Sequence, residues 1–419
     1  MLAALTEFDG QPTALARELR ALVPDGDSVA VAVAAILADV RSGGEQAVLH
    51  HTRRHDTRGA EPKPLRVTGD ELAQACAGLD PAVAAGVELA IANVDQVARA
   101  ALHADRRVDF DGHSVTVRET PVHRAAVYVP GGRAPYPSTV VMGVATARAA
   151  GVQTIAVCSP PGPDGELNPA ILAACELAGA DEVYRMGGAQ GVAALAYGTE
   201  QIEPVDVIVG PGNLYVQEAK RQLSGIVGID SFAGPSDMLA IVDPQYPLEP
   251  LALDLLAQAE HGAGTIVVAV CPDAALLDAL ADRLAAEPME TDAVCRLVHA
   301  PTYELALALA EAFAPEHLEL LGPLAEQLAP RITRSGCVFV GTGTAFGDYV
   351  AGSNHTLPTG GAARFASTLG PHHFRRVFTE VRIEQPQALA QAAAPLARAE
   401  GFEYHARSME ARIGENQSR

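Results

Sequence analysis

The chain has 419 residues, enough for two or three hydrophobic cores, and 48% of them are apolar. A formal charge of −21 argues against nucleic acid or an anionic membrane as a general partner and fits a soluble cytosolic protein. Only 5% of residues are aromatic and none is Trp, so Ala, Leu and Val must fill the space between layers.

Glu7 and Asp9 stand where a signal peptide would be basic, and no apolar run reaches the ~18 residues of a membrane span. Residues 1–24 read as a short helical arm. Residues 29–50 and 70–102 read as Ala-rich helices joined by Arg/His/Asp-rich linkers. From Ala125 the pattern changes. Strand-length apolar runs at Ala125–Val129, Thr154–Cys158, Glu182–Arg185, Val205–Val209, Leu239–Val242, Thr265–Val270 and Cys337–Val340 alternate with helices. Those helices begin near Ser138, Pro169, Ala189, Asn213, Leu251, Asp273 and Tyr303. Such alternation predicts α/β architecture, with parallel sheets covered by helices on both faces. After Pro371 it stops. A strand at Arg376–Ile383 leads to a helix at Pro386–Arg398, with Pro386 in its first turn and Pro395 at a kink. Residues 371–419 are too short for a core and must pack on their own chain or on a partner. The six cysteines (Cys76, Cys158, Cys175, Cys271, Cys295, Cys337) form no C-x-x-C pair and read as reduced, mostly buried thiols.

Four glycine turns fall between a strand and the next helix: Tyr128–Gly132, Gly187–Gly191, Gly210–Asn213 and Ala233–Ser236. In an open parallel sheet ligands bind at the carboxyl ends of strands, and glycine lets backbone N–H groups approach a phosphate. Ordinary turn chemistry explains one such turn; four of them, with Gln190, Asn213 and Ser236, suggest a dinucleotide site. There is no G-x-G-x-x-G, and Gly341–Gly347 reads as a loop presenting Asp348.

The remaining chemistry gathers in three short stretches. Gln258 and His261, three residues apart in an apolar run, would share one helix face and point at one ion, unless they are merely a cap or a solvated face. With Asp348 they make an amide, imidazole and carboxylate set suited to zinc or a similar divalent metal. Glu316 and His317 follow Pro315 and read as a helix start, where side chains diverge by ~100° and would serve different atoms. His317 suits a base for a hydroxyl proton, and Glu316 an activator of water, although Pro-Glu-His is also an ordinary N-terminal turn. Gly352–His355 reads as a solvated loop, two of whose polar groups would face the cleft of Asp348.

Many strings in fixed order resemble the histidinol dehydrogenase family. They include Tyr128-Val-Pro-Gly-Gly, Pro135-Tyr-Pro-Ser, Gly187-Gly-Ala-Gln, Gly210-Pro-Gly-Asn-Leu-Tyr-Val, Glu218-Ala-Lys-Arg, Val227-Gly-Ile-Asp, Gln258-Ala-Glu-His, Ala314-Pro-Glu-His-Leu, Gly347-Asp-Tyr and Asn354-His-Thr-Leu-Pro-Thr. The match runs from about Tyr128 to Pro358 and more loosely to His405. The resemblance implies two doubly wound, incomplete Rossmann-like parallel-sheet domains with helical N- and C-terminal extensions. Their expected bounds are 25–127 plus 236–370 for metal and substrate, 128–235 for NAD, and 371–419 for a tail exchanged across a homodimer. It implies four-electron oxidation of L-histidinol through L-histidinal to L-histidine by two NAD. Zinc would be held by Gln258, His261, Asp348 and His405. The substrate would meet Ser236, Gln258, His261, His317, Asp348, Glu400 and His405, and NAD would contact Tyr128, Gln190 and Asn213. His317 would be the base and Glu316 would activate water. The chain departs from the family at Asp237, where Glu is usual, and in Phe365–Arg375. His372 and His373 there read as surface imidazoles. A paralogue acting on another small polar alcohol, and a metal-bound scaffold without redox activity, are the competing readings.

Overall fold

The computed structural model describes residues 3–8, 10–23, 29–131, 135–231 and 234–413. Asp9, Gly132, Ala233 and both ends of the 1–24 segment lie outside them. The chain forms two compact units, Met1–Ala101 with Val122–Phe374 and Leu102–Pro121 with Arg375–Arg419.

In chain order the elements begin with β1 (Ala3–Glu7), α1 (Pro12–Arg20), α2 (Ala30–His55), α3 (Gly69–Ala77), α4 (Pro81–Ala100), β2 (Arg106–Phe110) and β3 (His113–Pro121). Then come β4 (Arg124–Tyr128), α5 (Pro137–Ala150), β5 (Thr154–Ser159), α6 (Pro169–Ala178), β6 (Glu182–Arg185), α7 (Gly188–Tyr197), β7 (Val207–Val209), α8 (Leu214–Leu223) and β8 (Gly228–Ile229). The next are β9 (Asp237–Val242), α9 (Leu248–Ala259), β10 (Ile266–Cys271), α10 (Ala274–Ala285), β11 (Val294–His299), α11 (Tyr303–Phe313), β12 (His317–Leu321), α12 (Pro323–Glu326), β13 (Cys337–Val340) and α13 (Ala345–Tyr349). The chain closes with β14 (Arg375–Ile383), α14 (Pro386–Ala399) and α15 (Glu403–Ala411).

The larger unit holds both expected parallel sheets. One has the order β6-β5-β4-β7-β8, the other β1-β11-β10-β9-β12-β13. Each is buried on both faces, which is why its strands read as unbroken apolar runs. Val127 and Val157 point into one core while Ala126 and Ala156 point into the other. In the second sheet Leu239 and Val268 face α1 and α11, and Met238 and Val267 face α9 and α10.

The structure corrects several expectations. The 1–24 segment is not wholly helical: β1 pairs in parallel with β11 at the sheet edge before α1 begins. The helix expected over 70–102 breaks at Leu79, because Asp80 caps the Ala82 N–H and Pro81 starts a new helix. Helices α2, α3 and α4, expected with the metal and substrate segment, pack on α7 and α8, α6, and α5 respectively, over the five-stranded sheet.

In the smaller unit, residues 106–121, to which the sequence reading assigned no element, form a β2–β3 hairpin that pairs with β14. Every residue of β2 is exposed, the alternating Val108 and Phe110 included. This unit buries few apolar side chains, among them Ala390, Ala394 and Ala406, and leaves Phe110, Val377, Leu396, Phe402 and Tyr404 exposed. Among the described residues no single helix is long and apolar enough to cross a membrane.

Candidate active site

Glu316 and His317 sit at the amino end of β12, beside the amino end of the parallel strand β9. Ser236 and Asp237 lead into β9, and Glu316 and His317 lead into β12, whose His317 lies opposite Met238. The expected helix start at Glu316 is therefore a strand start. Gly336 and Cys337 donate N–H groups to the carbonyls of Pro315 and Glu316, so the β12–β13 ladder claims this backbone. Ala314, at φ 50, closes α11 just before it.

Glu316 is buried and held on three sides. Its Oε2 accepts the Ser236 hydroxyl at 2.7 Å and the Asp237 N–H at 3.0 Å, while its own N–H donates to Asp237 Oδ1 at 2.8 Å. Asp237 is in turn paired with Arg20 at 2.6 Å and accepts the Gly360 N–H at 2.9 Å. Arg20 also donates to the Phe313 carbonyl at 2.8 Å. The family departure at Asp237 thus serves an ion pair that anchors the Glu316 loop.

His317 Nε2 lies 3.3 Å from Asp348 Oδ1, and Nδ1 lies 3.6 Å from Glu316 Oε2 without a hydrogen bond. Burial alone would lower the imidazole pKa; the charge of Glu316 and the bond to Asp348 outweigh it and hold the ring well above its ordinary value. Burial works against the Asp348 carboxylate too, but the His317 hydrogen bond and charge hold it below its usual range. Asp348 lies on the one-turn helix α13, not in an open loop; Gly347 packs its backbone against the Phe339 ring, which aims the turn inward. Gly352–His355, read as a solvated loop, has Gly352 and Asn354 buried, and His355 donates Nδ1–H to the Asp348 carbonyl at 2.8 Å and meets Thr139 at 3.3 Å. Asn354 ties the segment to Met142 on α5 at 3.1 Å.

Gln258 and His261 do not share a helix face. Gln258 is in the last turn of α9, and His261 lies past the C-cap, in tightened turns that end at Gly262 with φ 82. Gln258 is buried, with Oε1 3.3 Å from the Ser236 hydroxyl. His261 is exposed and its Nδ1 lies 3.0 Å from the Gln258 carbonyl. A carbonyl only accepts, so Nδ1 carries a hydrogen, and in the neutral ring that leaves Nε2 as the ligating nitrogen.

No three His, Cys, Asp or Glu side chains among the described residues can hold a metal together. The candidate set therefore needs the Gln258 amide and a further donor. Its chemistry fits zinc, since the Gln258 oxygen, the His261 Nε2 and the Asp348 carboxylate are all donors that zinc accepts. Glu400 and His405 belong to the smaller unit, at the end of α14 and in α15, and both are exposed.

The expected NAD contacts cluster at the carboxyl ends of the five-stranded sheet. Tyr128 ends β4 and its hydroxyl accepts the Gly188 N–H at 3.0 Å. Gln190 opens α7, is buried, and donates to Asp56 at 3.2 Å. Burial pushes the Asp56 carboxyl up to about 7. Asn213 caps α8, accepting the N–H groups of Tyr215 and Val216 at 3.0 and 3.2 Å. Its turn is clamped by Lys220, fully buried, which donates to the Gly210 carbonyl at 3.0 Å and pairs with Asp230. His373, read as a surface imidazole, is half-buried and accepts the Gly370 N–H at 3.2 Å. Sequence reading missed Arg20, Asp56 and Glu319, which stand in no motif, and Thr344, which lies in the Gly341–Gly347 stretch; only long-range contact reveals their roles.

Parallel sheets with glycine turns at their strand ends, together with a buried Glu–His pair and metal-type donors, define an α/β protein, and its relatives make it an oxidoreductase. The histidinol dehydrogenase family model matches residues 22–413. The histidinol dehydrogenase of Gluconobacter oxydans is 40% identical over 407 residues, covering 94% of each chain. That of Rhodospirillum rubrum is 43% identical over 397 residues, covering 91% of each. The crystal structure of histidinol dehydrogenase from Elizabethkingia anophelis matches with a TM-score of 0.91 at 29% identity, covering 100% of this chain and 99% of that one. The chain belongs to the histidinol dehydrogenase family.

Proposed function

We propose that the protein oxidises L-histidinol through L-histidinal to L-histidine, transferring two hydrides to two NAD. The observation that carries this reading is the convergence of Glu316, His317, Asp348, Ser236 and Gln258 through hydrogen-bond contacts of 2.7–3.3 Å, in a family whose named members act on histidinol.

Gln258, His261 and Asp348 would hold zinc with His405, and Tyr128, Gln190 and Asn213 would meet NAD. Zinc, when bound, would anchor the substrate and offset the charge of Asp348, and NAD would accept hydride. His317 takes the hydroxyl proton as the alcohol carbon loses hydride, giving the aldehyde. Glu316, its carboxylate oriented by Ser236 and the Asp237 N–H, takes a proton from water as that water adds to the aldehyde. His317 returns its proton to the aldehyde oxygen as the hydrate forms, then takes one hydroxyl proton of that hydrate as the carbon loses the second hydride; the carboxylic acid so formed releases its own proton to give the carboxylate. Ser236, Glu400 and His405 would complete the substrate pocket.

The tail would be exchanged across a homodimer. In support, the smaller unit exposes Val377, Val381, Leu396, Phe402 and Tyr404, more apolar surface than a free 40–65-residue unit should leave open. We place the protein in the cytoplasm, where histidine biosynthesis would use it. Asp237 is engaged by Arg20 and the Glu316 backbone, so this departure gives no reason to invoke another alcohol.

The test is stoichiometric. Metal-analysed protein is given limiting L-histidinol, and the expected yield is two NADH per substrate with zinc present. A yield of one NADH, or reaction only with other alcohols, overturns the reading.

A further inference from the structure

Behind the candidate metal donors runs a buried chain that none of these roles uses. Glu319 projects from the middle of β12 and is wholly buried. Its Oε1 accepts the Thr344 N–H at 2.9 Å, and Oε2 has no hydrogen-bond partner among the described residues. Thr344, also wholly buried, accepts the Gln258 Nε2–H on its hydroxyl oxygen at 3.0 Å. Burial, with the charge of Asp254 added, pushes the Glu319 carboxyl well above the usual carboxylate range.

A carboxyl at that depth is costly, and an apolar side chain of similar volume is often as good for stability or better. Its placement therefore asks for a reason beyond packing. Gln258 supplies one. A carboxamide has an oxygen end and a nitrogen end, and only the oxygen is a useful metal ligand. Thr344 engages the nitrogen, which turns Oε1 toward Ser236 and the Glu316–His317 pair. Glu319 in turn fixes Thr344 by its backbone. The loop carrying Thr344 has little freedom otherwise, since Gly343 lies directly against the Asp254 carboxylate on α9.

We propose that Glu319 and Thr344 are positioning residues that fix the Gln258 carboxamide, so that its oxygen faces a divalent metal. This rests on the metal reading of Gln258, His261 and Asp348. Partners of metal ligands typically change metal affinity by about 10- to 100-fold when removed.

Zinc alone is titrated into metal-free, full-length protein in competition with a chromogenic chelator. Thr344→Val keeps the shape and removes the oxygen; zinc affinity is expected to fall about 10- to 100-fold, with the metal-free protein still folded. Thr344→Ser restores the affinity, and Glu319→Leu lowers it as the valine variant does. The visible absorption of cobalt(II)-loaded protein should change in Thr344→Val and return in Thr344→Ser. If the valine variant does not fold, Thr344→Ala removes the same oxygen without the bulk and takes its place. Wild-type zinc affinity in the valine or alanine variant overturns the positioning role while leaving the metal reading intact. A wild-type protein that takes up no zinc overturns both.

Discussion

Asp237 and Glu316 hold each other reciprocally: the Glu316 N–H donates to Asp237 Oδ1 at 2.8 Å, and the Asp237 N–H donates to Glu316 Oε2 at 3.0 Å. The two residues are 79 positions apart in sequence, and Arg20 closes the arrangement from α1. This lock makes the Glu316 carboxylate a fixed group.

Removing the lock should cost both stability and turnover. Asp237→Ala leaves the Arg20 guanidinium unpaired in a partly buried position, and breaking such a pair costs about 3–5 kcal/mol. Urea denaturation should report that loss, and kcat should fall as Glu316 loses its orientation. Unchanged stability would show that Asp237 is not an anchor.

Glu316 and His317 should separate by step. Glu316→Gln keeps a hydrogen-bond acceptor for Ser236 and Asp237 but takes no proton. It should slow oxidation of L-histidinal by about 100-fold or more, the range for a lost general base, and affect conversion of alcohol to aldehyde far less. His317→Asn should slow both. Single-turnover NADH formation from each substrate distinguishes them, and an equal loss in both steps for Glu316→Gln would refute the division of labour.

The exchanged tail can be tested by mixing two dead proteins. His405→Ala and His261→Ala subunits, unfolded together and refolded, form mixed dimers in which one site has a complete set of side chains if the tail is donated across the two-fold. Random pairing should return about a quarter of wild-type activity. No recovery in verified mixed dimers would place His405 in its own subunit's site.

Metal removal should be reversible. Chelation should abolish NADH formation, and zinc should restore it. His261→Ala should bind zinc far more weakly without losing the fold, because His261 is an exposed residue whose side-chain hydrogen bond is to the adjacent Gln258 carbonyl.

Asp56 gives a pH signature of stability. Its folded value of about 7 lies above the ordinary 3.8, so the folded state holds the proton more tightly. Its stabilising effect is complete below the ordinary value and is lost as pH rises toward 7. Asp56→Asn cannot ionise, so its melting temperature should fall less than the wild type's between pH 4 and 7. Identical profiles would mean that Asp56 is ionised at no cost.

The sequence by itself determined the layers and the ingredients. Apolar runs with alternating residues in two cores could only become parallel strands buried on both faces, and Asn168, Asn213 and Asp273 cap the helices they precede through contacts two or three residues long. Such signals are local, so they survive in a one-dimensional reading. The tertiary structure alone decided that Glu316–His317 starts a strand, that His261 lies beyond its helix, that residues 106–121 pair with β14, and that Glu319 stands behind Gln258 through Thr344. Each depends on a partner brought in from far along the chain. A backbone hydrogen bond is satisfied by whichever strand lies beside it, and a buried carboxyl by whichever donor the fold delivers, and neither leaves a mark on the neighbouring letters.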